Sequence, residues 1–149
     1  MRETLILLLA LAVPLTGFAA RGTDLGEDTG LEHAKGDGLE VVVTVKFAVG
    51  SVALSARARA ALAAAAGKLA ADPKQRLELA GHTDDSGQER YNIELSELRA
   101  RAVGKFLVDH GVGPERLSVV GYGFWSPLER NDTEAGRARN RRAEVKISP

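Results

Sequence analysis

Cysteine is missing from this sequence altogether. That excludes disulfide cross-links and any thiolate zinc site, so a folded unit must rely on its core alone. An excess of charge of either sign is missing too: 20 Lys and Arg residues balance 20 Asp and Glu residues. A balanced chain exerts no long-range pull on nucleic acid or anionic lipid. No GxSxG, HExxH or phosphate-cradling glycine loop occurs. The histidines, His33, His82 and His110, are scattered and suggest no catalytic set. There is no internal repeat, and the one low-complexity tract, an alanine run, follows from helix propensity. The only extended apolar run, Leu5 to Leu15, is short for a membrane-spanning helix. What remains, in 149 residues, is enough for one domain with a real core plus a leader.

The leader reads as a signal peptide over residues 1–19. Arg2 supplies the positive end, Leu5 to Leu15 the apolar stretch, and Gly17, Ala19 and Ala20 the small residues around a cleavage site. Leu15-Thr16-Gly17 resembles the start of a lipoprotein box, but Phe18 stands where a cysteine would be lipidated. Residues 20–37 are rich in Gly, Asp, Glu and Thr without apolar periodicity and read as a flexible linker. The folded domain is expected over residues 38–149.

Leu39, Val41, Val43, Val45 and Phe47 alternate with Glu40, Val42, Thr44 and Lys46, the period-2 pattern of a strand with one apolar face. Ser55 caps a helix whose buried stripe is Ala58, Leu62, Ala66 and Leu69, and Asp72-Pro73 ends it. Leu77 and Leu79 mark a second strand. A polar loop, Gly81 to Gly87, precedes a long helix from about Glu89 to His110, stopped by Gly111. Leu117, Val119 and Val120 mark a third strand. A short helix follows Thr133, and Ala143, Val145 and Ile147 mark a last strand. The expected fold class is α/β (α+β): a two-layer sandwich of a mixed four-stranded sheet with helices on one face, in the order β-α-β-α-β-(α)-β.

Three features carry chemistry. The stripe of the long helix runs Leu95, Arg99, Val103, Phe106 and Leu107, with an arginine where an apolar residue is expected. Either Arg99 snorkels to water along its methylenes, or it is buried and needs an anion. If buried and unpaired, its replacement by alanine would even stabilise the free domain. The loop His82-Thr83-Asp84-Asp85-Ser86 could be turn chemistry or a metal site of His82, Asp84 and Asp85; turn chemistry is the commoner use of such residues. Gly136 to Arg142 is a basic cluster that could bind nucleic acid, against which the leader argues; Arg137 and Arg139 fit a solvated helix face.

These residues together resemble a known family. Gly81-His82-Thr83-Asp84, Gly87, Tyr91-Asn92, Leu95-Ser96, Arg99-Ala100 and Val103 are similar to the signature of the OmpA-like C-terminal domain. Leu117, Gly121, Gly123, Pro127, Asn131, Thr133, Gly136-Arg137 and Asn140-Arg141-Arg142 continue the match. The family includes outer membrane protein A, the peptidoglycan-associated lipoprotein and MotB. The resemblance implies a non-enzymatic periplasmic domain, with no cofactor, that binds peptidoglycan and tethers an envelope component to the wall at the outer membrane. It implies that Asp84 and Arg99 clasp the diaminopimelate of the stem peptide, that Thr83 and Asn92 add hydrogen bonds, and that Arg141 lies near the site with Asn140 beside it. One departure stands out: relatives commonly end the first strand in Phe-Asp and small polar residues, whereas this chain reads Phe47-Ala48-Val49-Gly50. That departure favours the alternative function, an interaction module of an envelope, secretion or motor complex with weak wall binding and other envelope proteins as partners.

Overall fold

The computed structural model describes residues 38–148; the expected leader, 1–19, and linker, 20–37, lie outside the described residues. The first strand, β1, is Glu40–Lys46. Val43, Val45 and Phe47 enter the core as alternation predicts, but a register shift between Val41 and Val43 brings Val42 into it as well. A bulge of this kind breaks strict period 2, because the extra residue turns the chain locally.

Ser55 caps α1, Ala56–Ala71, its hydroxyl accepting from the Ala58 amide at 3.1 Å. Ala58, Ala61, Leu62, Ala65, Ala66 and Leu69 are buried, and the small alanines let the helix lie close to the sheet. Then come β2, Leu77–Gly81, and α2, Glu89–Asp109. Beyond α2 the chain reverses at Gly111, whose φ of 98° is ordinary only for glycine. A 3-10 turn, Pro114–Arg116, leads into β3, Leu117–Gly121. Thr133 caps α3, Glu134–Asn140, accepting from the Gly136 amide at 3.0 Å, and β4, Arg142–Ile147, follows.

The sheet order is β1-β4-β2-β3. β4 runs antiparallel to both β1 and β2, and β2 runs parallel to β3, so the sheet is mixed. The side chains of Leu77, Leu79, Val145 and Ile147 share one core with those of α1 and α2. Element order and two-layer architecture match the expectation. α2 approaches the sheet through two glycines. A Cβ on Gly81 would overlap the Ser96 carbonyl oxygen, and one on Gly121 would lie 2.8 Å from the Glu97 amide nitrogen. This backbone-on-backbone contact brings the first turns of α2 against the C-terminal ends of β2 and β3.

Candidate functional site

At those strand ends, four segments enclose a cleft of about 90 Å³. The loop after β1 contributes Val49 and Gly50. The loop after β2 contributes Thr83, Asp84 and Ser86. α2 contributes Tyr91, Asn92, Leu95 and Arg99, and the α3–β4 junction contributes Arg141.

Arg99 forms the floor and has no exposed surface. Snorkelling is therefore excluded. Nor does an anion pair with it directly. Its Nε donates to the Ser51 carbonyl at 2.9 Å, Nη1 to the His82 carbonyl at 2.9 Å, and Nη2 to the Ala48 carbonyl at 3.0 Å. Carbonyl dipoles do what a carboxylate was expected to do, and the guanidinium also lies 5.1 Å over the Phe47 ring. Burial pulls its pKa down to about 10, with Arg141 adding to the effect and Asp84 and Tyr91 opposing it, so it stays charged at neutral pH. A guanidinium carries more N–H donors than these three carbonyls consume.

Asp84 is buried and ion-paired. Its Oδ2 accepts from Arg141 Nη1 at 3.0 Å and its Oδ1 from the Ser86 amide at 3.0 Å. Burial raises its pKa, but the bonds from Arg141 and Ser86 outweigh that and hold the carboxyl below its usual value. Arg141 in turn donates from Nη2 to Glu134 Oε1 at 2.7 Å. Burial works against the charge on Arg141, yet Glu134 and Asp84 together raise its pKa. The Asn92 amide fastens the loop by donating to the Ser86 carbonyl at 2.9 Å. Thr83 Oγ1 is buried without a hydrogen-bond partner, while its backbone amide donates to the Gly123 carbonyl at 2.8 Å.

Five of the six expected site residues thus meet: Thr83, Asp84, Asn92, Arg99 and Arg141. Asn140 does not line the cleft. Its fully buried amide binds the Leu128 and Glu129 amides, the Glu129 carbonyl and Asn131 Oδ1, so it braces the loop before α3. Adjacency in sequence misplaces it, because Asn140 is the last residue of α3 and Arg141 its C-cap, where the chain turns out of the helix before β4 begins at Arg142. Tyr91, Ser86 and Val49 line the cleft in addition to the expected site residues, and the Glu134 carboxylate, in the first turn of α3, joins them through Arg141; of these only Glu134 carries a charge signal in the sequence.

His82, Asp84 and Asp85 do not converge on a metal. The His82 ring is buried, stacked on Tyr122 at 5.2 Å and 3.8 Å from Glu144, while Asp84 pairs with Arg141 and Asp85 is exposed. Among the described residues no group of His, Asp and Glu is arranged to hold a metal ion. Arg137 and Arg139 are half-buried rather than solvated, each ion-paired, to Glu134 and Glu129 respectively. A larger open depression of about 300 Å³ beside α3 is lined by Glu129, Arg130, Asp132 and Arg139 and contains none of the expected site residues.

Comparison with known proteins shows the family. The OmpA family matches residues 46–141. The peptidoglycan-associated lipoprotein of Pseudomonas putida is 33% identical over 155 residues, covering 94% of this chain and 93% of that protein. Outer membrane porin F of Pseudomonas fluorescens is 49% identical over 75 residues, 50% of this chain and 23% of the porin. The peptidoglycan-binding protein ArfA of Mycobacterium tuberculosis is 42% identical over 83 residues, 56% of this chain and 26% of ArfA. The chain therefore spans only about a quarter of the length of those two relatives. Among solved structures, the peptidoglycan-associated lipoprotein of Burkholderia pseudomallei superposes with a TM-score of 0.68 at 32% identity, over 70% of this chain and 88% of that one. The periplasmic domain of Helicobacter pylori MotB does so with a TM-score of 0.66 at 26% identity, over 76% of this chain and 85% of that one.

Proposed function

The chain belongs to the OmpA family, and from that premise we propose that it binds peptidoglycan non-covalently in the cell envelope, through the diaminopimelate of the stem peptide. One observation carries the reading: residues from four separate segments bring a carboxylate, Asp84, and two guanidinium groups, Arg99 and Arg141, to one small cleft. The free end of diaminopimelate carries an ammonium and a carboxylate on one carbon. Asp84, whose oxygens have accepting capacity beyond the bonds from Arg141 and Ser86, takes the ammonium. The spare donors of Arg99 take the carboxylate. The unpartnered Thr83 hydroxyl supplies a further hydrogen bond. Because Arg99 is covered, the ligand reaches it when the rim at Val49 and Gly50 widens. Nothing in this scheme breaks a bond, so it is a binding reading and not a catalytic one. Tethering to the wall, and the periplasmic and outer-membrane placement that goes with it, follow from the same proposal.

The test is calorimetry with a diaminopimelate stem peptide and its lysine analogue, beside sedimentation with purified sacculi. A lysine-type stem lacks the carboxylate that Arg99 would hold, and leaving one partner of a desolvated charge pair alone costs about 2–5 kcal/mol. The lysine peptide should therefore bind far more weakly. Asp84→Asn, which keeps the shape of the side chain, should abolish sedimentation. Equal affinity for the two peptides would overturn the reading, whatever the fold.

A further inference from the structure

Trp125 is the chain's single tryptophan, and 64% of its surface is exposed. An exposed indole is usually free to swing, but this one is held. Its Nε1 donates to Glu89 Oε1 at 3.1 Å, and its ring leans on Phe124 with centroids 5.0 Å apart and planes tilted by 30°. Both tethers lead to the cleft. Glu89 is the first residue of α2, and Asn92, one turn along, lines the cleft. Gly123, two residues before Trp125, accepts from the Thr83 amide at 2.8 Å and donates to Ser96 Oγ at 2.9 Å. The indole is thus fixed in relation to the cleft by the segments that build it.

We propose that Trp125 is a stacking surface for a pyranose ring of the glycan strand, a saccharide subsite beside the peptide cleft. The proposal rests on the reading that the cleft takes a peptidoglycan stem, since the stem hangs from the glycan and brings sugar rings to its neighbourhood. The chemistry suits a sugar. The C–H face of a pyranose is apolar with partial positive charge and meets the electron-rich indole face. Its rim of hydroxyl and acetamido groups needs polar neighbours, which the Glu89 carboxylate and the exposed Ser126 hydroxyl supply. A single aromatic bordered by such groups is a poorer seat for an apolar protein surface, which needs a contiguous patch.

Because no other tryptophan contributes, the emission of the full chain reports directly on this site. Three probes are compared: a disaccharide carrying the diaminopimelate stem, the stem peptide alone, and glycan strands stripped of peptide by an amidase. The disaccharide-peptide should bind roughly three- to tenfold more tightly than the peptide, the weight of one aromatic contact, and should shift the emission to shorter wavelength. Trp125→Ala should reduce its affinity to that of the peptide, and Trp125→Phe should keep part of the gain; an exposed ring can be replaced without loss of fold. Peptide binding with no sugar-dependent gain, or an emission unmoved at saturation, overturns the subsite and leaves the cleft reading standing. An emission shift with stripped glycan while no stem peptide binds keeps the subsite and removes the cleft reading. Silence from all three probes removes both.

Discussion

Replacing Arg99 by alanine leaves the carbonyls of Ala48, Ser51 and His82 without their donors in a buried place. Each unsatisfied group costs about 1–3 kcal/mol, and the vacated volume adds to it. The variant should be destabilised by about 3–5 kcal/mol in denaturant titration, a scale typical of a buried charge network losing a member. This reverses the stabilisation that follows from taking Arg99 as unpaired; a variant as stable as the parent would show that the three bonds contribute little. The anomaly itself is visible in the sequence, as an arginine in an apolar stripe, but its partners are backbone groups remote along the chain, which no side-chain pattern announces. His82 gives a second prediction. Burial, with Arg142 and Lys146 adding to it, holds its pKa well below 6.5, so the folded ring stays neutral. The unfolded ring protonates as pH falls through about 6.5, the unfolded state then binds more protons, and stability declines. Asp84, with its own depressed pKa, contributes stability above about pH 3.9, lost only as pH falls further, so the two windows separate. Between pH 7.5 and 5.5 the protein should lose about 1 kcal/mol, and His82→Gln should lose less; an identical slope in the variant would assign the loss to other groups.

At the scale of elements, what is local is legible and what is tertiary is not. Ser55 and Thr133 are recognisable caps because the bond they make closes within three residues. Gly111 and Asp72-Pro73 are recognisable stops for the same reason. The bulge in β1 is hidden, because Val41, Val42 and Val43 are equally apolar and only pairing with β4 decides which of them turns inward. Gly81 and Gly121 look like loop punctuation, yet each is required by the approach of α2. That approach sets the cleft, since it brings Asn92 and Arg99 on the helix beneath the loop bearing Thr83 and Asp84. Arg99 on α2 and Asp84 in that loop are therefore within reach of the sequence pattern, whereas Asn92 and the role of Thr83 come through the family resemblance. Arg141 comes only through the family resemblance, because from spacing alone it is one of several arginines in a cluster, and its pairing with Asp84 joins the ends of the neighbouring strands β4 and β2, which are far apart along the chain.

For the molecule as a whole, element order is readable but strand order is not, because an apolar alternating segment does not say which strand it will join. The last strand, β4, lies between β1 and β2. Among the described residues β1 has β4 as its only neighbour in the sheet, so these two strands depend on each other. Ala143, Val145 and Ile147 also complete the core, and Arg142 and Glu144 pair at 2.6 Å on the opposite face. Ending the chain after Arg141 would therefore strip both ladders from β4, detach β1, and open the core beneath α1 at once. Such a loss is not confined to one edge. The truncated protein should show no cooperative thermal transition and should fail to sediment with sacculi, whereas removing only Ser148 and Pro149, beyond the last strand, should leave the melting midpoint where it was. The same pairing joins residues at opposite ends of the domain, so loop closure over nearly its whole length precedes the final ladder, and folding should be slow for its size, in the millisecond-to-second range of non-local topologies. Stopped-flow refolding of the intact chain checks that rate. A cooperative transition surviving in the truncated chain would mean that β2, β3 and the two long helices form a stable unit without β4, and that the central strand is an addition to the core and not its completion.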